Sequence, residues 1–145
     1  MKLTMSKEIL GFKDKYEFLS NDYQCNIYAD WDDLTYLNAT AALIAQKSED
    51  IGTRRKYTRL SGIKARKKES SIPDNPEWEK NKDEILFKIL MAKFRSTELK
   101  KKLLATGDSK LINLTTYPDP YYGVRDGVGA NRLGKILEKV REALK

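Results

Sequence analysis

The sequence predicts an α+β fold: a single compact, mainly helical domain over residues 1–145 with a small sheet. Three observations carry that prediction. Apolar residues recur at helical spacing through most of the second half, whereas apolar–polar alternation is confined to short runs near the start. No internal repeat, low-complexity tract or obvious linker divides the chain.

Residues 8–12 and 24–29 alternate and read as short strands, with the loop Phe-Leu-Ser-Asn-Asp-Tyr, Phe18 to Tyr23, between them. Asn38 is placed to cap a helix reaching Ser48, in which Ala39, Ala42, Leu43 and Gln46 share one face. Residues 54–68 read as two short basic helices interrupted near Gly62, and Ser70 to Asn75 as a loop containing Pro73. Asn75-Pro76 opens the clearest helix, with asparagine as cap and proline in the first turn. Trp78, Ile85, Leu86, Ile89, Leu90, Lys93 and Phe94 then recur at helical spacing. A helix over 97–106 should stop at Gly107, where a missing Cβ suits a left-handed position. Lys110 to Leu114 reads as a strand. Leu133, Ile136, Leu137, Val140 and Leu144 mark an amphipathic C-terminal helix.

A chain of 145 residues can bury a real core without disulfides or metal staples. Histidine is absent and Cys25 is the sole cysteine. Histidine acid–base catalysis, Ser-His-Asp triads, Cys-His pairs and the usual zinc sites therefore drop out together. Chemistry is left to carboxylates, lysines, tyrosines or the substrate, and neither a metal nor a cofactor is expected. One cysteine, no apolar run of membrane-spanning length and no signal-peptide pattern lead to the expectation of a cytoplasmic protein with no membrane partner. Lys and Arg total 28 against 21 Asp and Glu, a net charge of +7. The densest basic run is Arg54, Arg55, Lys56, Arg59, Lys64, Arg66, Lys67 and Lys68. Such a run either attracts polyanions (nucleic acid, nucleotides, an acidic protein) or simply keeps the surface solvated.

Four places invite a closer reading. Asp119 lies between Pro118 and Pro120 and precedes Tyr121, Tyr122 and Gly123, so it is either an aimed carboxylate beside stacking surfaces or a tyrosine-lined turn. The run GVGANRLG, Gly127 to Gly134, is not a dinucleotide fingerprint, because Arg132 stands where the third glycine belongs and no βαβ context follows. It is either an anion site at a helix start, helped by Asn131 and Arg132, or a plain helix N-terminus. Asp108, after Gly107, has the setting of a turn-former more than of a catalyst. Trp78 fits a core position or a stacking platform, and Lys47 at a helix end could simply complement the dipole.

Taken together these fragments resemble the NADAR family, also called YbiA-like proteins, over most of the chain. The family's FLSN-aromatic-Tyr is matched by Phe18-Leu19-Ser20-Asn21-Asp22-Tyr23, and its Asn-Ala-Glu helix ending in Gln-Lys by Asn38 to Lys47. A tryptophan opening the long helix (Trp78), the KF…LL-TGD segment, and Asp119, Tyr122, Gly123, Gly129, Asn131, Leu133, Gly134, Leu137 and Arg141 complete it. The resemblance implies a pocket for ribose and its attached base, and action on N-glycosidic bonds of phosphorylated ribose compounds. It implies catalytic roles at Asp119 and Lys47, with Thr40 in the place of a family glutamate. Ligand contacts are implied at Ser20, Asn21, Tyr23, Lys68, Trp78, Asp108, Tyr122, Gly123 and Asn131.

The chain departs from the family pattern where acid chemistry is concerned. Thr40 and Asn113 replace two glutamates, Lys67-Lys68 replaces Gly-Arg, and Tyr122 replaces a tryptophan. Threonine can bind a ribose hydroxyl but cannot carry a charge opposite an oxocarbenium-like state. The resulting expectation is a protein that counteracts ADP-ribosylation, as an antagonist of a DarT-type DNA ADP-ribosyltransferase toxin. It would bind toxin, ADP-ribose or ADP-ribosylated DNA with impaired hydrolysis, in the host cytoplasm if a phage carries it. The alternatives are an active N-glycosidase, releasing ADP-ribose from guanine in DNA or cleaving a riboflavin-pathway ribosyl intermediate, and a basic nucleic-acid-binding module. Expected partners are ADP-ribose or a related nucleotide, DNA, and an ADP-ribosyltransferase toxin.

Overall fold

The computed structural model describes residues 7–145 and is α+β. In chain order it holds β1 (Glu8–Leu10), a 3-10 turn (Asp14–Leu19), β2 (Ile27–Ala29), β3 (Leu34–Tyr36) and α1 (Ala39–Ala45). Then follow α2 (Ile51–Arg55), α3 (Gly62–Lys68), a second 3-10 turn (Glu69–Ser71), α4 (Trp78–Lys93), α5 (Thr97–Ala105), β4 (Lys110–Ile112) and α6 (Arg132–Ala143). Among the described residues the strands form two separate two-stranded sheets: β1 runs parallel to β4, with Ile9 opposite Leu111, and β2 antiparallel to β3, with Ile27 opposite Tyr36. Two units emerge, one of Asn21–Ser96 and one joining the N-terminal segment through Ser20 to Thr97–Lys145. Among the described residues no helix is long and apolar enough to cross a membrane.

In the Asn21–Ser96 unit, α1 is buried on every side, not on one face alone. Its alanines let α3 and α4 approach closely, and Asn38 caps it by accepting from Ala41 N at 2.7 Å. Backbone bonds from Gln46, Lys47 and Ser48 carry the turn on to Ser48. Leu86, Ile89, Leu90 and Phe94 supply the α4 side of this core, each worth about 1.5–3 kcal/mol of burial. Trp78 and Ile85 are only half-buried. The helix begins at Trp78, after an Asn75 turn in which Asn75 Oδ1 accepts from Glu77 N at 3.0 Å. The basic segment does form two helices, but the break runs from Lys56 to Ser61, and Gly62 is the first residue of α3.

Strand β3 escaped the sequence reading because the two aspartates just before it, Asp32 and Asp33, look like loop. Asp33 takes a positive φ of 58° to turn the hairpin, and Asp32 Oδ1 accepts from Leu34 N at 3.1 Å. Asp32 Oδ2 meanwhile accepts from Tyr36 Oη at 2.8 Å and Gln46 Nε2 at 3.3 Å and lies 3.6 Å from Arg54. Trp31 Nε1 donates to Gln46 Oε1 at 3.1 Å. This network pins the β2–β3 hairpin to α1 and α2. Burial, then the Asp32 hydrogen bond, pushes the Tyr36 phenol far up.

In the other unit, Phe18 and Leu19 sit in the first 3-10 turn and are buried, so the first two residues of the anticipated FLSNDY loop are helical. Helix α5 ends at Ala105, and Gly107 takes the expected left-handed position at φ +62°. Strand β4 stops at Ile112, and Leu114 bridges to Val124 instead. Helix α6 lies directly on β4: a Cβ at Gly134 would fall 1.9 Å from the Leu111 carbonyl oxygen. Leu133, Ile136, Leu137 and Val140 face this core, and buried Arg141 donates to Thr106 Oγ1 at 3.0 Å and Ser109 O at 2.8 Å.

Candidate functional site

The loop before β2 and the start of α1 are stitched together around Thr40. Thr40, 8% exposed, donates its backbone N–H to Asn21 O at 3.0 Å and its hydroxyl to an Asp22 carboxylate oxygen. Arg66, on α3, clasps the same carboxylate with both terminal nitrogens at 2.8 Å. Gly62 makes room, since a Cβ there would stand 2.3 Å from Asp22 Oδ1. Burial opposes ionisation of Asp22, yet the hydrogen bonds from Arg66 and Thr40, with the Arg66 charge, outweigh it and hold the carboxyl below its ordinary value. Asn21 Oδ1 is buried and has no hydrogen-bond partner among the described residues.

Lys47 stands two helical turns beyond Thr40. Its ammonium meets Glu69 Oε2 at 2.9 Å and lies 5.7 Å from the centre of the Trp78 ring. Asn75 Nδ2 donates to the Lys47 carbonyl at 3.2 Å and fixes the backbone there. Arg66 and Glu69 are three residues apart where α3 runs into the second 3-10 turn, so they share a side of that segment. A short stretch thus presents a guanidinium to Asp22 and a carboxylate to Lys47. Lys68 gives its backbone carbonyl to Tyr57 Oη at 3.1 Å.

Tyr23 belongs to a different environment. Its ring lies 5.7 Å from the ammonium of Lys93, which is 1% exposed and also near Phe94. Burial pulls Lys93 down to about 8, partly offset by Cys25. Burial likewise pushes the Cys25 thiol up, against the pull of Lys93.

In the other unit, Asp119, Tyr122, Gly123, Asn113 and Asn131 come together. Asp119 Oδ1 accepts from Tyr122 N at 3.1 Å while its carbonyl accepts from Gly123 N at 2.9 Å, a self-capped turn. Tyr121 and Tyr122 pack edge to face at 4.8 Å. Asn113 Nδ2 donates to Tyr122 O at 3.2 Å. Asn131, in the left-handed conformation at φ 50°, accepts from Asn113 N and donates to Leu111 O, each at 2.9 Å. Ser20 N donates to Glu17 O at 2.9 Å and closes the first 3-10 turn. Asp108 is exposed, 3.6 Å from Lys145, and borders a groove of about 840 Å³ with Lys15, Tyr16, Lys102 and Thr106. Among the described residues no three His, Cys, Asp or Glu side chains gather closely enough to hold a metal ion.

Of the residues singled out in the sequence, the structure groups Asn21 with Thr40, Lys47 with Trp78, and Asp119 with Tyr122, Gly123 and Asn131. Asp22 entered the sequence reading within the FLSNDY motif and Arg66 within the basic run, whereas Glu69 was not singled out. Asp22 and Arg66 are 44 positions apart and Lys47 and Glu69 22 apart, so spacing could not pair them. One signal was visible: an acid at 22, where the family pattern has an aromatic.

These features define a small α+β protein with two carboxylate–cation pairs, that of Lys47 and Glu69 beside a tryptophan, and no histidine. The chain belongs to the NADAR domain family, whose model matches residues 10–145. It is 39% identical over 105 residues to N-glycosidase YbiA of Escherichia coli (strain K12), covering 69% of this chain and 65% of that protein. The match therefore spans slightly less than two thirds of that relative's length. It is 30% identical over 136 residues to riboflavin biosynthesis protein VVA0006 of Vibrio vulnificus (strain YJ016), covering 90% of this chain and 36% of that one. The NMR structure of E. coli YbiA superposes with a TM-score of 0.83 at 33% identity, covering 97% of this chain and 87% of that one.

Proposed function

We propose that the chain is an N-glycosidase that hydrolyses the bond between C1′ of a phosphorylated ribosyl group and the nitrogen of a flat base. The observation that carries this reading is the Lys47–Glu69–Trp78 cluster: ammonium and carboxylate 2.9 Å apart, with the ammonium 5.7 Å from an indole. Hydrolysis needs a proton for the departing nitrogen and negative charge or a base on the ribosyl side. The indole face suits stacking of the base, and the Lys47–Glu69 pair can pass a proton to the leaving nitrogen. Similarity to a protein named N-glycosidase supports the same reaction class.

A second reading, antagonism of a DarT-type toxin by binding ADP-ribosylated DNA or the toxin, draws support from another feature. Arg55, Lys56, Arg59, Lys64 and Lys67 are all exposed on α2, α3 and their connection, a surface suited to phosphates. Thr40 and Asn113 supply no carboxylate.

One experiment separates the two. The protein is incubated with an oligonucleotide carrying ADP-ribosyl-guanine and, separately, with a riboflavin-pathway ribosyl intermediate, and released base and sugar are quantified. Many turnovers per protein on either probe support the glycosidase. Stoichiometric, salt-sensitive binding with both probes left intact overturns it in favour of the binder, as does protection from the toxin at near-equimolar protein.

A further inference from the structure

Resting on the glycosidase reading, we infer that Asp22 is a catalytic carboxylate of this protein, with Thr40 and Arg66 as its positioning residues. Thr40 sits where a helix-borne acid would project from α1, and its hydroxyl instead holds an acid brought in by the preceding loop. The charge is thus supplied by the neighbouring loop, not the helix.

Three observations make this more than a loop anchor. The Asp22 side chain keeps 39% exposure although Thr40 and Arg66 both bond it, so a ligand can reach it. The next residue back, Asn21, has a buried side-chain amide oxygen with no hydrogen-bond partner among the described residues, so an acceptor is left unsatisfied beside the carboxylate. Gly62 makes room for the carboxylate, because the three nearest atoms to a Cβ there all belong to the Asp22 side chain. Arg66 fixes the carboxylate plane through two parallel bonds, and Thr40 sets its rotation about that axis. Glu69, which meets Lys47, follows Arg66 by three residues in the 3-10 turn that continues α3, so one continuous stretch orients both acids.

The chemistry balances without a further reactant. The C1′–N bond breaks with its electron pair leaving on the base nitrogen, which takes a proton from the Lys47–Glu69 pair. The ionised Asp22 stabilises the ribosyl cation and accepts a proton from the water that attacks C1′. Water is consumed, ribose gains a hydroxyl and the base gains N–H. Proton exchange with solvent returns both acids to their starting states.

The test follows the pH dependence of kcat/KM on whichever of the two probes the wild-type protein turns over. Asp22→Asn is expected to lower it at least about 100-fold, the usual worth of a general base. Arg66→Met and Gly62→Ala are expected to move the acidic limb to higher pH, because each removes or displaces what keeps the carboxyl ionised. Thr40→Val should shift it in the same direction by less. A purely structural role would lower folded protein without moving that limb. Asp22→Asn retaining activity within about threefold would overturn the inference, as would an unmoved acidic limb in Arg66→Met. If Asp22→Asn does not fold, the limb shifts in the other variants decide. Wild-type protein inactive on both probes removes the glycosidase reading itself and this inference with it.

Discussion

Asn131 holds Leu111 in place: its Nδ2 donates to the Leu111 carbonyl at 2.9 Å, so the residue that starts α6 also terminates β4. Its Oδ1 accepts from Asn113 N, and the left-handed backbone at φ 50° aims both bonds at the strand. Asn131→Ala should cost about 1–3 kcal/mol by leaving strand groups unsatisfied. Asn131→Gly relieves the φ but not the lost bonds, so it should remain destabilised. Urea unfolding midpoints check both, and a wild-type midpoint in the glycine variant would assign the role to backbone conformation alone.

The approach of α6 to β4 makes a second prediction. Gly134→Ala puts a methyl 1.9 Å from the Leu111 oxygen, a backbone atom that cannot swing aside. The expected cost is about 3 kcal/mol, at the upper end of overpacking. Gly107→Ala meets no atom within 4 Å and strains only a positive φ, so about 1 kcal/mol is expected. Thermal unfolding should rank them in that order.

Lys47 and Glu69 should act as a unit. Lys47→Met and Glu69→Gln are each expected to lower turnover about 100-fold, and the double variant little further. Stability should move by no more than about 1 kcal/mol, because the pair is partly exposed and screened. Additive losses in activity would show that the two do not share a proton.

Lys93 gives a pH signature in stability. Its folded value of about 8 lies below its ordinary 10.5, chiefly through burial. Below pH 8 the folded and unfolded chains both carry the proton, and the cost of the buried charge is constant. Between about 8 and 10.5 the unfolded chain binds a proton that the folded chain has released, so stability rises with pH. Relative to Lys93→Met, the wild type should gain about 3 kcal/mol across that window. Guanidinium titrations at several pH values check it, and a flat difference curve would contradict it.

What could be read from order alone was whatever local chemistry decides. Asn38 as a cap, the helical spacing of Leu86, Ile89 and Leu90, Gly107 as a stop and the apolar stripe of α6 each depend on neighbours within a turn or two. The α+β class followed from these, and the family resemblance from the order and spacing of its motifs. Strand β3 stayed hidden because Asp32 and Asp33 resemble a loop until Tyr36, Gln46 and Arg54 converge on Asp32. The surroundings of Thr40 stayed hidden for the same reason: a missing glutamate is visible in one dimension, whereas the Asp22 side chain beside it, and Arg66 from 44 positions away, meet only when α3 packs on α1. Hydrogen bonds and charge pairs act over a few ångströms of space, and only the folded backbone converts sequence distance into that range.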